Sequence, residues 1–198
     1  MKKPLFILFS FILLTSFQKK QKNDELLINN ILLEVVSGDN SILDKKLKLV
    51  NGFNSALQIP AKFYFNDENF EPLAPYFKKE DIDYYKDQIK RNAKIKLLKK
   101  GIFKEFKFIK RKKIVNFIAK IESDFIKEKE FDYDKLYNKK IGGIQEFGLP
   151  LLSKNGKFLM IRFFSMPTSK KNKGFVRVYE NINDNWVLKK TIREWENN

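Results

Sequence analysis

The pattern of apolar and polar residues is clearest in the last third of the chain, where it predicts three strands. Residues 158–165 (FLMIRFFS), 174–180 (GFVRVYE) and 186–195 (WVLKKTIREW) are rich in the β-branched and aromatic residues that favour strands. The connectors between them, MPTSKKNK and NINDN, are rich in turn-forming residues, and connections this short join neighbouring antiparallel strands. The pattern therefore predicts a C-terminal antiparallel meander.

Three helices are predicted upstream of the meander, at residues 25–36, 79–92 and 131–140. The first has apolar residues at four-residue spacing, which would place them on one stripe: Leu27, Ile31 and Val35. The second begins with acids and ends with Lys90 and Arg91, a charge order that complements the helix dipole. A pair of glycines follows the third and would end it.

Short apolar runs between these helices predict further strands at residues 94–98 (KIKLL), 103–110 (FKEFKFIK) and 114–123 (IVNFIAKIES). Residues 41–50 (SILDKKLKLV) fit either a helix or a short strand, and residues 52–75 are expected to form an irregular loop with a short strand. We therefore expect an α+β fold. It would have a mainly antiparallel sheet with a C-terminal three-stranded meander, packed on one face by two or three short helices.

Two stretches of the C-terminal half are FGLPLLSKNGKFLMIRFF and GFVRVYENINDNWVLKKTIREW. They combine a Pro-hydrophobic-hydrophobic-Ser-Lys turn, an apolar strand, a glycine-led strand and a closing strand that follows an Asn-Trp turn. Together with the upstream KKEDIDYYKDQIKRNAKIKL, they resemble the meander and the preceding helix and strand of small exported bacterial proteins of unknown function. The resemblance covers about half of the chain and carries no active site, because none is established for that group.

The N-terminus has the form of an export signal. After a short basic start, residues 4–17 (PLFILFSFILLTSF) form an uncharged run. A spanning helix needs about 20 apolar residues, so this run suits the core of a signal peptide better. An uncleaved anchor and a buried helix of a cytosolic protein are the alternatives. We expect a signal peptide at 1–17, a basic linker at 18–23 and a single α+β domain at 24–198.

These boundaries predict a periplasmic or extracellular location, with no transmembrane span in the mature protein. The absence of cysteine excludes a lipoprotein and any disulfide framework, so the core alone must hold the fold. Histidine is absent as well, which excludes Ser-His-Asp and Cys-His catalysis and zinc sites built on those side chains. No glycine-rich nucleotide-binding motif is present. We expect no cofactor and no metal, and a non-enzymatic domain is favoured.

The alternative is a carboxylate-dependent hydrolase acting on cell-envelope glycans, which needs two converging carboxyl groups. The acidic residues form two groups in the chain: Glu80, Asp81, Asp83 and Asp87, then Asp124, Glu128, Glu130, Asp132 and Asp134. Helix capping explains the first group, and the second lacks the calcium-loop pattern and is expected to be solvated. A Ser-Lys nucleophile is disfavoured because Ser153–Lys154 and Ser169–Lys170 are sequence neighbours in predicted turns.

The two tryptophans bracket the last predicted strand. Nine steps separate Trp186 from Trp195, and successive side chains of a strand point to opposite faces. We therefore expect the two rings on opposite faces, where they cannot form one stacking platform for a carbohydrate.

Positive charge is concentrated in one part of the chain. The formal net charge is +16 at pH 7, and residues 86–120 hold 14 Lys or Arg against two acids, a net of +12, with phenylalanines between them. A basic, aromatic-bearing sheet can bind a polyanion. The candidate binding residues are Arg91, Lys110, Arg111, Lys112 and Lys113.

The expected partner of this basic region is an anionic polysaccharide, an anionic lipid surface or a protein of the cell envelope. Export disfavours nucleic acid. The compact run Lys110–Lys113 beside apolar residues suits a lipid surface. Two origins of the basicity that involve no ligand stay open: lysines on a solvated strand edge prevent unwanted strand pairing, and an AT-rich genome raises the lysine content of its proteins.

Overall fold

The computed structural model of the chain describes residues 24–39, 41–53, 71–92, 95–125 and 132–197. The predicted signal peptide (1–17) and linker (18–23) lie outside these residues, as does most of the predicted loop at 52–75.

A seven-stranded sheet organises the described part of the chain. Its strands are β1 Lys48–Asn51, β2 Phe108–Lys110, β3 Ile144–Phe147, β4 Leu151–Leu152, β5 Phe158–Met166, β6 Asn172–Ile182 and β7 Asn185–Asn197. The order across the sheet is β2-β1-β3-β5-β6-β7, and β4 pairs with β5 beside this path. β1 runs parallel to β2 and β3, and the other pairs are antiparallel. The predicted α+β fold with a mainly antiparallel sheet and a C-terminal meander, β5–β7, is confirmed.

Four α-helices pack on this sheet within the described ranges. They are α1 at residues 24–38, α2 Ile82–Asn92, α3 Arg111–Phe125 and α4 Tyr133–Lys140. Short 3-10 helices occupy Lys79–Asp81 and Gly101–Glu105. The predicted helices at 25–36, 79–92 and 131–140 are confirmed as α1, the Lys79–Asp81 turn with α2, and α4.

The helices cover both faces of the sheet, so the expectation that they cover one face is wrong. Successive strand residues point to opposite faces. Ile161 and Phe163 of β5 join the apolar cluster that contains α1, whereas the intervening strand position Met160 joins a cluster with α2. On the same face as α2, Val50 of β1 packs in a third cluster with α3 and α4. Because β5 and β6 are apolar on both faces, both faces need cover.

The buried stripe of α1 follows the helical period more closely than the predicted one. Its buried apolar residues are Ile28, Ile31, Leu32, Val35 and Val36. This spacing gives a stripe wide enough to cover several strands. Leu27 was predicted to belong to the stripe, but it is 50% exposed because it lies about one-quarter turn away from Ile28.

Residues 95–98, the described part of the strand predicted at 94–98, are held instead by side chains of α1. Asn29 is fully buried; its amide donates to the carbonyl of Lys96 (2.9 Å), and its oxygen accepts from the Leu98 N–H (2.7 Å). Glu25 accepts from the Lys96 N–H (3.2 Å). These bonds satisfy backbone groups that a neighbouring strand would otherwise pair with.

Residues 103–110 were predicted as one strand, but only Phe108–Lys110 is a strand. Phe103 and Phe106 are both buried, and their three-residue spacing fits the 3-10 turn at Gly101–Glu105 better than a strand. Gly101 begins this turn with a positive φ of 53°.

The predicted strand at 114–123 is helix α3, and this is the largest error of the sequence-based assignment. Its apolar residues follow the spacing i, i+3, i+4 and i+7, at Ile114, Phe117, Ile118 and Ile121, which is helical. The β-branched residues in the run favour strands intrinsically, but burial of Ile114 and Ile121 against the sheet outweighs that preference.

The predicted placement of the two tryptophans is confirmed. Trp186 packs with the α1 cluster and Trp195 with the α2 cluster, on opposite faces of β7. The Trp195 ring lies over Gly174, where a Cβ atom would come within 2.4 Å of the ring. A glycine is therefore required at this position of β6.

The hairpin that joins β6 to β7 turns through Asn183 and Asp184, whose φ angles are 52° and 63°. Two consecutive residues with positive φ form the tight turn that suits the twist of a hairpin. Just beyond the turn, the N–H of Trp186 donates to the Glu34 carboxylate of α1 (2.7 Å). α1 thus contacts both the sheet face and the start of its last strand.

We expect Asn29→Ala to lower the free energy of unfolding by about 3 kcal/mol, because it removes the partners of two backbone groups in 95–98. The adjacent Asn30 is exposed and bonds only to Lys100 in the described chain, so Asn30→Ala should change stability by about 0.5 kcal/mol or less. Chemical denaturation of both variants measures the difference. Equal losses would contradict the structural role assigned to Asn29.

Candidate functional site

The compact basic run lies where β2 passes directly into α3. Lys110 is the last residue of β2, and α3 begins at Arg111. Lys110, Lys112 and Lys113 are exposed, and they form no ion pair with any residue that the structure describes. These three residues are called the lysine cluster below.

Arg111 does not belong to the lysine cluster. Its Nη2 binds Oε2 of Glu146 on β3, a carboxylate whose side chain is 6% exposed. Because of this ion pair, Arg111 is an anchor that holds the first turn of α3 on the sheet. Nearby, on α4, burial raises the pKa of the Tyr137 hydroxyl, and the neighbouring Tyr133 and Glu146 raise it further.

The predicted basic sheet is not formed, because the basic residues of 86–120 are distributed over different elements. Lys100 lies against α1, where its Nζ donates to Asn30. Arg91 is at the C-terminal end of α2, which packs on β4, β5 and β6, whereas the lysine cluster lies at the β2 edge. Of the five predicted binding residues, the structure groups Lys110, Lys112 and Lys113, gives Arg111 a structural contact and places Arg91 on another element.

The position of the lysine cluster is unfavourable for the helix itself. α3 has no acid in its first turn, whereas α4 begins with Asp134 and ends with Lys139 and Lys140. The N-terminal end of a helix carries a partial positive charge, so a cation there costs about 0.3–1 kcal/mol. Helix stability does not explain three cations at this end.

Two members of the first acidic group, Glu80 and Asp81, line a small cleft of about 300 Å³ together with Tyr76, Tyr85 and Ser153, among others. Asp81 accepts from Lys154 Nζ (2.8 Å), and this bond raises the pKa of the lysine. Lys154 therefore stays protonated at neutral pH and cannot serve as a base toward Ser153. The Ser153 hydroxyl is engaged in its own turn, where it accepts from the Phe158 N–H (2.9 Å).

The second acidic group shows a similar arrangement. Asp132 caps α4 by accepting from the Lys135 N–H (2.9 Å). Asp134 accepts from Lys170 (2.7 Å) and from the Ser169 hydroxyl, and these bonds lower the pKa of its carboxyl. A general acid needs the opposite shift.

The remaining acidic candidates do not converge on a second carboxyl in the described chain. Asp83 and Asp87 are exposed on α2. Glu128, Glu130 and the side chain of Asp124 lie outside the described residues.

A second cleft, of about 340 Å³, was not predicted from the sequence. It is lined by Phe163, Phe175, Arg177 and Glu194, among others, on the α1 face of the meander. The Arg177 guanidinium lies 4.0 Å from the centroid of the Phe175 ring and binds Asp39 (3.1 Å) and Glu194 (3.6 Å). It thus connects the end of α1 to β6 and β7. The sequence signal was a single arginine within the otherwise apolar run GFVRVYE.

Within the ranges that the structure describes, no group of three or more acidic side chains lies close enough to hold a metal ion. No helix in the same ranges is both long and apolar enough to cross a membrane.

Replacement of Arg111 by methionine should lower the free energy of unfolding by about 3 kcal/mol, since it takes the guanidinium away from a carboxylate that is almost fully buried. Lys112→Met, one residue further along, removes an exposed cation and should change stability by about 0.5 kcal/mol or less. Urea denaturation of both variants tests whether Arg111 stabilises the fold and Lys112 does not. A small loss of stability in Arg111→Met would show that Arg111 belongs to the lysine cluster.

The acid sensitivity of the fold should depend on Glu180. This β6 carboxylate accepts from Lys189 (2.8 Å) and Lys157 (3.1 Å), and these bonds lower its pKa. Because the folded-state pKa is the lower one, the ionised carboxylate stabilises the fold above the unfolded-state pKa. This contribution is lost as the pH falls through the folded-state value.

Glu180→Gln should therefore reduce stability at about pH 6, and its difference from the unmodified chain should shrink below about pH 4. Glu196→Gln, at an exposed residue of β7 without an ion pair in the described chain, is the control. Denaturation midpoints at several pH values give the comparison. A difference that stays constant with pH would show that Glu180 does not act through its charge.

Comparison of the chain with models of protein families, with curated proteins and with solved structures gives no match. The resemblance to small exported bacterial proteins therefore stays a prediction. Function has to be inferred from the positions of the lysine cluster, Arg111 and the surrounding surface.

Proposed function

We propose that this protein is an exported, non-enzymatic domain that binds an anionic component of the cell envelope through the lysine cluster Lys110, Lys112 and Lys113. The observation that carries the proposal is the set of three exposed lysines at the positive end of α3, without an ion pair in the described chain. Export is inferred from the apolar run at residues 4–17.

Electrostatics favour an anion at this place for two independent reasons. Three lysines within four residues create a local positive potential that attracts polyanions. The first N–H groups of α3 add a partial positive charge of the same sign. An anionic partner would relieve the repulsion among these groups more directly than screening by water and salt does.

The anchor at Arg111 supports the proposal because it fixes the geometry of the cluster. Its bond to Glu146 ties the first turn of α3 to β3, next to β1 in the centre of the sheet. Lys112 and Lys113 therefore project from a backbone that is held in place, and less order has to be imposed when a ligand binds.

The hydrolase acting on envelope glycans is the less favoured alternative. It needs one carboxyl group with a raised pKa beside an ionised one. The pKa is lowered, and not raised, at the carboxyl groups of both Asp134 and Glu180, because lysines bind both groups. Release of reducing ends from purified envelope glycans by the protein would favour the hydrolase over the binding domain.

Charge reversal at all three lysines, Lys110→Glu with Lys112→Glu and Lys113→Glu, should markedly lower the salt concentration that elutes the protein from an immobilised anionic polysaccharide. Each lost contact should also reduce the salt dependence of binding by about one counterion. The matched control reverses three exposed lysines elsewhere: Lys46, Lys104 and Lys190. It changes the net charge equally but leaves the cluster intact.

The control also separates a local site from general basicity. If both triple variants elute at the same reduced salt concentration, binding follows net charge, and the high lysine content reflects composition. The proposal requires the cluster variant to elute clearly earlier than the control. Matching denaturation midpoints for the two variants would exclude unfolding as the cause.

A further inference from the structure

We infer that the anionic partner is a lipid surface and that the first two turns of α3 lie against it; this inference rests on the proposed function and specifies its ligand. The observation behind it is apolar: Val115 is 54% exposed and Ile118 is 44% exposed. Both follow the lysine cluster directly in the helix.

The packing of α3 explains why these two side chains face outward. Ile114 and Ile121 are buried against the sheet together with part of Phe117. Val115 and Ile118 lie on one edge of that contact, about 100° and about 40° around the helix from Ile114, and residues three apart are neighbours on a helix surface. They form a strip of their own beside the buried stripe.

Lysine and apolar residues are continuous along this strip. Lys112 precedes Val115 by three residues, and Val115 precedes Ile118 by the same interval. A helix that rests on a membrane interface presents such a surface, with cations at the level of the phosphate groups and apolar side chains between the headgroups. An anionic polysaccharide would pair with the lysines but gain little from the valine and isoleucine.

The contact is confined to the beginning of the helix. Ile121, three residues after Ile118, is buried against the sheet, so the exposed apolar strip ends at Ile118. Lys110 and Lys113 are also exposed and add positive charge around the beginning of the helix. A contact of this size gives reversible adsorption to anionic lipid, because few apolar groups are buried and each lysine contributes through a screened interaction.

The test uses the full chain and two vesicle types, one of phosphatidylcholine alone and one containing about a third phosphatidylglycerol. Co-sedimentation gives the partition coefficient for each. Binding to the neutral vesicles reports any contribution from other apolar segments, including residues 4–17, so the ratio between the two vesicle types is the readout.

We expect Val115→Ser with Ile118→Ser to lower the partition to anionic vesicles by about tenfold. The charge-reversed lysine cluster should lower it by at least about a hundredfold at low salt, since each lysine near an anionic surface contributes about fivefold and the glutamates add repulsion. The matched control is Val187→Ser with Leu188→Ser, two half-exposed apolar residues of β7, and should leave the partition unchanged.

The outcomes separate this inference from the proposed function. If the lysine variant loses binding but the serine variant of α3 does not, the lipid assignment is overturned and an anionic polysaccharide remains as the partner. If neither variant differs from its control, the lysine cluster does not bind lipid and this inference falls, whereas elution from the anionic polysaccharide decides the proposed function. Loss in the α3 serine variant alone, without loss in the lysine variant, would show apolar adsorption without charge recognition and also overturns the inference.

Discussion

Strands β5 and β6 of the meander are apolar on both faces, and the rest of the fold is arranged to satisfy this constraint. In β5, Ile161 and Phe163 point to one face, while Met160 points to the other. A sheet of this kind leaves neither face to water. α1 covers one side, and α2, α3 and α4 cover the other. Since the chain has no cysteine, these two apolar layers hold the structure without covalent crosslinks.

Polar anchors fix the positions of the covering elements. Asn29 supplies the hydrogen bonds for the segment 95–98, and Arg177 connects the end of α1 to β6 and β7. Arg111 does the same for α3 through Glu146. In each case a single polar side chain makes long-range contacts inside a largely apolar layer. Such contacts specify one arrangement of elements more strictly than apolar packing does.

The parts of the fold that could be predicted are those with unambiguous periodicity. Strands β5–β7 are long, bounded by turn residues and adjacent in the chain, so local pattern determines them. α3 was missed because Ile114, Val115 and Ile118 favour strands intrinsically, while the burial that makes the segment helical comes from distant β1 and β3. For the candidate site, the sequence shows that the four cations at 110–113 are neighbours in the chain. The sequence could not show which of the four forms an ion pair within the fold, because Glu146 lies 35 residues away from Arg111.

The contact between Glu34 of α1 and the N–H of Trp186 joins segments separated by 152 residues. α1 precedes the other described elements and packs early on Leu49 and Phe103, but its cluster is completed only when β5 and β6 add Phe163 and Phe175. Topologies dominated by such distant pairings fold slowly. If the chain is exported before it folds, slow completion of this core would keep it competent for translocation for longer.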